Sequence, residues 1–259
     1  RLSLEMGGKN AMIVLDDANL ELALDGLVWG AFGTTGQRCT ATSRLIIESG
    51  VHDEFLGELL VRTRALKLGD GRKKGTDVGP MINDAAIRKV ERYVDVGVAE
   101  GADLLCGGRK ADGKGLDKGF FHEPTIFARV EAGMRIEQEE IFGPVLSVVR
   151  VSSVDEAFQV NNGVKYGLSS SVYTRDVNVA FRALNELDNG ITYVNAPTPQ
   201  LPGWLHPLPR LRLEAFAHGL PVVSTTVGRP GAGSARCGAI PISSGAARSR
   251  SSRCSPASR

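Results

Sequence analysis

Ala11-Met12-Ile13-Val14-Leu15, followed by Asp16-Asp17 and a helical pattern running to Phe32, is the stretch whose reading decides the fold. Five consecutive apolar residues between polar neighbours fit a short buried strand. Asp16-Asp17 then offers a helix N-cap. Leu20, Ala23, Leu24, Leu27, Val28, Ala31 and Phe32 recur at helical spacing. Gly33-Thr34-Thr35-Gly36 breaks the helix, and Arg44-Leu45-Ile46-Ile47-Glu48 reads as the next strand.

The same alternation continues outward. Residues 53–67 predict an amphipathic helix with Phe55, Leu56, Leu59, Leu60 and Leu66 inward. Asn83 caps a third helix whose inner face is Ile87, Val90, Val94 and Val98, ending at Gly101 before a strand at Asp103–Cys106. Five glycines between 107 and 119 mark a surface excursion, and 120–127 is extended but carries Pro124, which suits an edge or irregular strand. Val145–Val151 is a β-branched strand, and Ser153 caps a helix through Asn161. A strand at 168–174, a helix at 176–187 and a strand at 191–195 complete the pattern. Strands alternating with helices over about 190 residues predict an α/β fold with an open, largely parallel sheet flanked by helices. Five or six strands are too few for an eightfold barrel.

Composition sets outer limits. The chain has 259 residues, 42% hydrophobic and 23% charged, enough for a sizeable core. A net charge of +2 gives no reason to expect a nucleic-acid partner, and no apolar run approaches the ~18 residues of a membrane span. No targeting leader follows Arg1. Cys39, Cys106, Cys237 and Cys254 form no CxxC pair, which points to a reducing, cytoplasmic setting. The four histidines are scattered, so no metal site is expected. After Pro197 the text turns Pro-, Arg- and Ser-rich, and 229–259 has no acidic or aromatic residue. Such a segment buries too little apolar surface to offset its ordering entropy. The expected division is therefore a domain at 1–198 and an unrelated, poorly ordered tail at 199–259.

Three clusters can carry chemistry. Cys39, beside Arg38 in a loop between helix and strand, has the access and cationic neighbour that a thiol nucleophile needs, and loop amides can stabilise an oxyanion. The plainer reading is a small buried hydrophobe, as most free cysteines are. Glu5 precedes Gly7-Gly8, where a backbone can approach a ligand closely; it is a candidate general base or simply a solvated acid at a turn. Glu139-Glu140-Ile141-Phe142-Gly143-Pro144 offers carboxylates and an aromatic ring to a ligand, or is a charged loop with one buried Phe.

In this order the clusters resemble the signature set of the aldehyde dehydrogenase superfamily. Glu5-Met6-Gly7-Gly8-Lys9 resembles its glutamate motif, and Phe32-Gly33-Thr34-Thr35-Gly36-Gln37-Arg38-Cys39 its cysteine motif, 34 residues apart as is usual there. Glu140-Ile141-Phe142-Gly143-Pro144 is similar to the segment holding the nicotinamide ribose. Tyr166-Gly167-Leu168-Ser169 and Asn189-Gly190-Ile191-Thr192-Tyr193-Val194-Asn195 match two further landmarks. The resemblance implies NAD- or NADP-dependent oxidation of a small-molecule aldehyde to an acid, through a thiohemiacetal and a thioester on Cys39, with Glu5 activating the hydrolytic water. It implies that Gly7, Glu140 and Phe142 contact the cofactor and that Asn195 lies near the substrate.

The resemblance also implies parts that the chain does not show. An N-terminal cofactor domain would precede Glu5, so the chain as given is expected to be inactive as a dehydrogenase. Family members are usually homo-oligomers, but Pro199-Gln200-Leu201-Pro202-Gly203-Trp204 stands where a subunit-pairing segment would begin. Residues 213–228 instead resemble the nucleotide-sugar loop of glycosyltransferases with two Rossmann-like domains, where Glu214 would touch the donor ribose. A non-catalytic interaction protein retaining the fold, or a nucleotide-sugar transferase fragment, are the alternative readings.

Overall fold

The computed structural model describes residues 6–113, 115–198 and 224–226. Its strands are β1 (Asn10–Val14), β2 (Thr42–Glu48), β3 (Asp103–Cys106), β4 (Thr125–Ala128), β5 (Val145–Val151), β6 (Ser169–Tyr173), β7 (Ile191–Val194) and β8 (Ser224–Thr226). Its helices are α1 (Leu20–Phe32), α2 (His52–Ala65), α3 (Asp84–Ala99), α4 (Arg135–Gln138), α5 (Val154–Asn162) and α6 (Val177–Glu186). The strands form one open sheet in the order β3-β4-β5-β2-β1-β6-β7-β8. The pairs from β4 through β7 are parallel, and the outermost pairs, β3 with β4 and β7 with β8, are antiparallel. This is the expected open, largely parallel α/β sheet, with eight strands among the described residues rather than five or six.

β1 is buried along its whole length because both faces of the sheet are covered. Ala11, Ile13 and Leu15 join one core with Ile87, Val90 and Val94 of α3, Phe158 of α5 and Ala183 of α6. Met12 and Val14 point the other way, to Leu24 and Leu27 of α1 and Phe55 and Leu59 of α2. A run of apolar residues without alternation is the sequence trace of this two-sided burial.

Several local expectations give way to tertiary contacts. Asn19, not Asp16 or Asp17, caps α1, its Oδ1 accepting from Leu22 N at 3.2 Å. Asp17 is taken by the start of α6: its Oδ2 accepts from Thr174 Oγ1 and from the amides of Arg175 and Asp176 at 2.8 to 2.9 Å. The extended stretch 120–127 joins the sheet as a strand only after Pro124, which has no N–H to give; before it, His122 makes a single antiparallel bridge to Lys110. Val98 is exposed, and Gly97 takes its place inward, where Phe127 and Ile136 approach to about 3.0 Å of where a Cβ would stand. The expectations for Glu5, Glu214 and most of 199–259 lie outside the described residues.

Because β1, β2 and β5 run parallel, the segments that enter them meet at one edge of the sheet. Those segments carry Gly7-Gly8, the loop around Cys39, and residues 139–144.

Candidate active site

α1 delivers the chain to this edge. Its last turn closes with Gly33 N donating to Trp29 O at 2.9 Å, and Thr35 and Gly36 then turn left-handed, with φ of 57° and 64°. A side chain at Gly36 would run into the carbonyl of Gly143, so the cysteine loop lies backbone to backbone against the loop before β5. Residues 38–41 form a turn closed by Ala41 N to Arg38 O at 3.0 Å, with Cys39 inside it. Cys39 is an exposed free thiol, not the small core hydrophobe of the plainer reading. The Arg38 guanidinium lies over the Trp29 ring, 5.8 Å from its centroid.

The other two clusters converge on the same place. Gly8 N donates to Glu140 Oε1 at 3.1 Å, and a Cβ on Gly7 would collide with Glu140 Oε2. The glycine pair therefore serves the close approach of a carboxylate from across the sheet edge. Lys89 Nζ fixes the Glu140 carbonyl at 2.9 Å. Phe142 has φ of 59° and is 41% exposed, so it is not the buried Phe of the bland alternative. A bulky residue held left-handed costs of order 1–3 kcal/mol and needs surroundings that enforce it. Here that strain turns an aromatic ring outward beside Glu140. Gly8, Gly36, Arg38, Thr42, Glu140 and Phe142 line a shallow cleft that is open to solvent. Glu139 faces elsewhere: bonded by Arg135 and by the Tyr93 hydroxyl, its carboxyl is held down to about 2. Of the two adjacent acids, only Glu140 lines the cleft.

Asn195 is not brought to Cys39. Its φ is 52°, its Nδ2 donates to Thr174 O at 2.9 Å, and its Oδ1 accepts from Thr174 N at 3.1 Å, at the carboxyl end of β6. What the turn at Asn195 does is send the chain back, so that Thr198 Oγ1 donates to Thr40 O at 2.9 Å and accepts from Thr42 Oγ1 at 2.7 Å. Asn10 was not singled out from the sequence either, yet its Nδ2 donates to Cys39 O at 2.7 Å and Ala41 O at 2.9 Å. The only signal for it was position, directly after Gly7-Gly8-Lys9.

Beneath the cleft lies a buried charge cluster that the sequence reading also missed. Arg44 Nη1 pairs with Glu137 Oε1 at 2.7 Å, and the same guanidinium donates to the carbonyls of Lys9, Val160 and Asn161. Lys9 is 1% exposed, and its Nζ has no hydrogen-bond partner among the described residues. Burial, reinforced by the like charge of Arg44, lowers the Lys9 ammonium from 10.5 to about 7.

The fold and site define an α/β protein that presents an exposed thiol on a turn at the amino edge of a parallel sheet, the edge that also carries Glu140 and Phe142. The chain belongs to the aldehyde dehydrogenase family, whose profile matches residues 1–204. It is 42% identical over 196 residues to the alpha-ketoglutaric semialdehyde dehydrogenase of Bacillus subtilis, covering 76% of this chain and 40% of that one. It is 43% identical over 195 residues to the betaine aldehyde dehydrogenase of the same organism, with 75% and 40% covered. Among solved structures it is similar to betaine aldehyde dehydrogenase from Staphylococcus aureus in complex with NAD+, with a TM-score of 0.74 and 39% identity, over 76% of this chain and 39% of that one. The chain thus spans about two fifths of the length of these relatives.

Proposed function

We propose that this chain carries the nucleophile of an enzyme that oxidises an aldehyde to a carboxylic acid with NAD or NADP. The exposed Cys39 thiol, on a pinned turn whose neighbours Arg38 and Ala41 line the same open cleft as Glu140 and Phe142, is the observation that supports this reading most. The residues fit the nicotinamide end of such a cofactor: the missing Cβ of Gly7 leaves room for Glu140, whose carboxylate would accept from ribose hydroxyls, and the Phe142 ring lies exposed. When bound, that group accepts the hydride released from the substrate carbon.

Cys39 Sγ, as thiolate, forms a bond to the aldehyde carbon, and the carbonyl electron pair moves to oxygen to give a thiohemiacetal. After hydride loss the substrate remains as a thioester on Cys39. Glu5 takes a proton from water as the water oxygen attacks the thioester carbon, and the carbon–sulfur bond breaks to return the thiolate. Dividing one oxidation into addition and hydrolysis is what a covalent nucleophile contributes. A reducing, cytoplasmic setting keeps the thiol available.

Since the chain spans about 40% of the length of its relatives, aldehyde oxidation by the chain alone is expected to be weak. Acyl transfer from an activated ester needs only Cys39 and Glu5. Hydrolysis of p-nitrophenyl acetate should vanish in Cys39→Ser, while Glu5→Gln should give one burst of nitrophenolate and then stall at the thioester. Unchanged hydrolysis in Cys39→Ser would remove Cys39 from the reaction, and robust NAD reduction by the chain would overturn the expectation of weak oxidation.

A further inference from the structure

His122 is buried in the excursion that joins β3 to β4, and nothing in the proposed reaction uses it. Two arms of that excursion are tied together there. Ala111 N donates to Phe121 O at 2.9 Å, Glu123 N donates to Arg109 O at 3.0 Å, and Lys110 forms a backbone bridge with His122 itself. The His122 Nδ1 lies 2.8 Å from the carbonyl of Glu123. A carbonyl oxygen can only accept, so in the neutral ring Nδ1 carries the proton and Nε2 keeps a bare lone pair. That Nε2 is buried and has no hydrogen-bond partner among the described residues.

A second proton on this ring is costly while the arms are closed. At Nε2 it would create a buried cation whose N–H meets no acceptor. Burial pushes the ring below its ordinary 6.5, and the bond to the Glu123 carbonyl and the carboxylates of Glu91 on α3 and of Glu123 oppose that shift without cancelling it. Arg109, bonded to Glu123 at 3.0 Å, weakens the pull of that carboxylate. Once the arms part, water restores the ring to its ordinary value. Below 6.5 the open form therefore binds more protons than the closed one, and acid favours opening.

The arms are connected to the loop of Cys39. The carbonyl of Phe120, next to the second arm, accepts from Met81 N at 2.7 Å. The loop that carries Met81 is in turn bound by the cysteine loop: Thr35 Oγ1 donates to Gly79 O at 3.1 Å, Gln37 Nε2 donates to Pro80 O at 3.2 Å, and Gln37 Oε1 accepts from Ile82 N at 2.9 Å. We propose that His122 is an acid-sensitive switch: proton uptake at Nε2 parts the arms 109–111 and 121–123, and through Phe120 and Met81 this loosens the loop 79–82 to which the cysteine loop is bonded. Acid thereby loosens the turn of Cys39, whatever that thiol reacts with.

Hydrogen–deuterium exchange of the full chain, read as the protection of each amide relative to its intrinsic rate, tests this. A group that binds its proton only in the open form changes the opening constant by about tenfold between about pH 7.5 and 5.5. His122→Asn keeps a donor for the Glu123 carbonyl and cannot titrate. Over that range wild type should lose about tenfold more protection than His122→Asn at the amides of Ala111, Glu123 and Met81, with a further loss at those of Gln37 and Ala41. Lys9 titrates in both proteins, so the difference between them belongs to His122. His122→Leu, which fills the site with an apolar side chain, supplies the same comparison should His122→Asn fail to fold. Equal losses in wild type and variant would overturn the switch. A loss confined to the arms, with Gln37 and Ala41 unmoved, would overturn its link to the cysteine loop.

Discussion

At the scale of single residues, burial carries an electrostatic cost at Lys9. Its ammonium is buried without a hydrogen-bond partner and stands near Arg44, with only Glu137, Glu140 and Glu139 opposing. Its folded value of about 7 is below its ordinary 10.5, so between those pH values the unfolded chain binds more protons than the folded one. Stability gained from this group therefore rises with pH through that window, and below about 7 the cost of burying the charge is present in full. Lys9→Met should accordingly melt higher than wild type near pH 7, with the gap closing toward pH 10. A constant gap across that range would show that Lys9 is not the titrating group. None of this was legible in the sequence, where Lys9 read as the end of a glycine motif. Its burial depends on β2 and α4, which lie 33 or more residues away in the chain. Cys39, Glu140 and Phe142 were legible, because their residue types and spacing carried the resemblance. What spacing did not carry was the purpose of Gly7, which makes room for the carboxylate of Glu140.

At the scale of elements, helix ends and loop contacts divide into those that local chemistry settles and those that it does not. Asn83 was readable as a cap because an Asn before an apolar-periodic run can satisfy an orphan amide, and its Oδ1 accepts from Ala86 N at 2.9 Å. Asn83→Ala should cost about 1 kcal/mol in chemical denaturation, with no effect on Cys39 labelling. The cap of α1 was misread because Asp17 is drawn away to Thr174 and the amides just before α6, a contact across 157 residues or more that no local rule contains. Gly36 belongs to both groups. As a helix stop it was evident, but its second function, contact with the Gly143 carbonyl, appears only when β2 and β5 are neighbours. Gly36→Ala combines a left-handed φ with that clash, so it should destabilise by about 1–3 kcal/mol. It should also separate the cysteine loop from the Phe142 loop, seen as a changed rate of Cys39 labelling. A substitution that leaves both unchanged would contradict the packing described.

For the molecule as a whole, the alternation of strand and helix was sufficient to predict an open parallel sheet, since each element's periodicity reports which faces it buries. Strand order was not readable, because β5 enters between β4 and β2 through contacts that sequence spacing does not encode. The Arg44–Glu137 pair ties that centre together, joining β2 to α4 while the same guanidinium reaches the end of α5. Removing one partner of a buried pair leaves a charge uncompensated, and Glu137→Ala should cost about 3–5 kcal/mol. A loss below about 1 kcal/mol in a denaturant titration would show that water reaches the site. On the proposed function, Cys39 acts as a covalent nucleophile. Peptide mapping of the purified chain after brief reaction with p-nitrophenyl acetate at neutral pH tests that most directly. The account predicts an acetyl thioester on the peptide carrying Cys39, formed faster than on Cys106 and absent in Cys39→Ser. Acetylation no faster at Cys39 than at the half-buried Cys106 would contradict it.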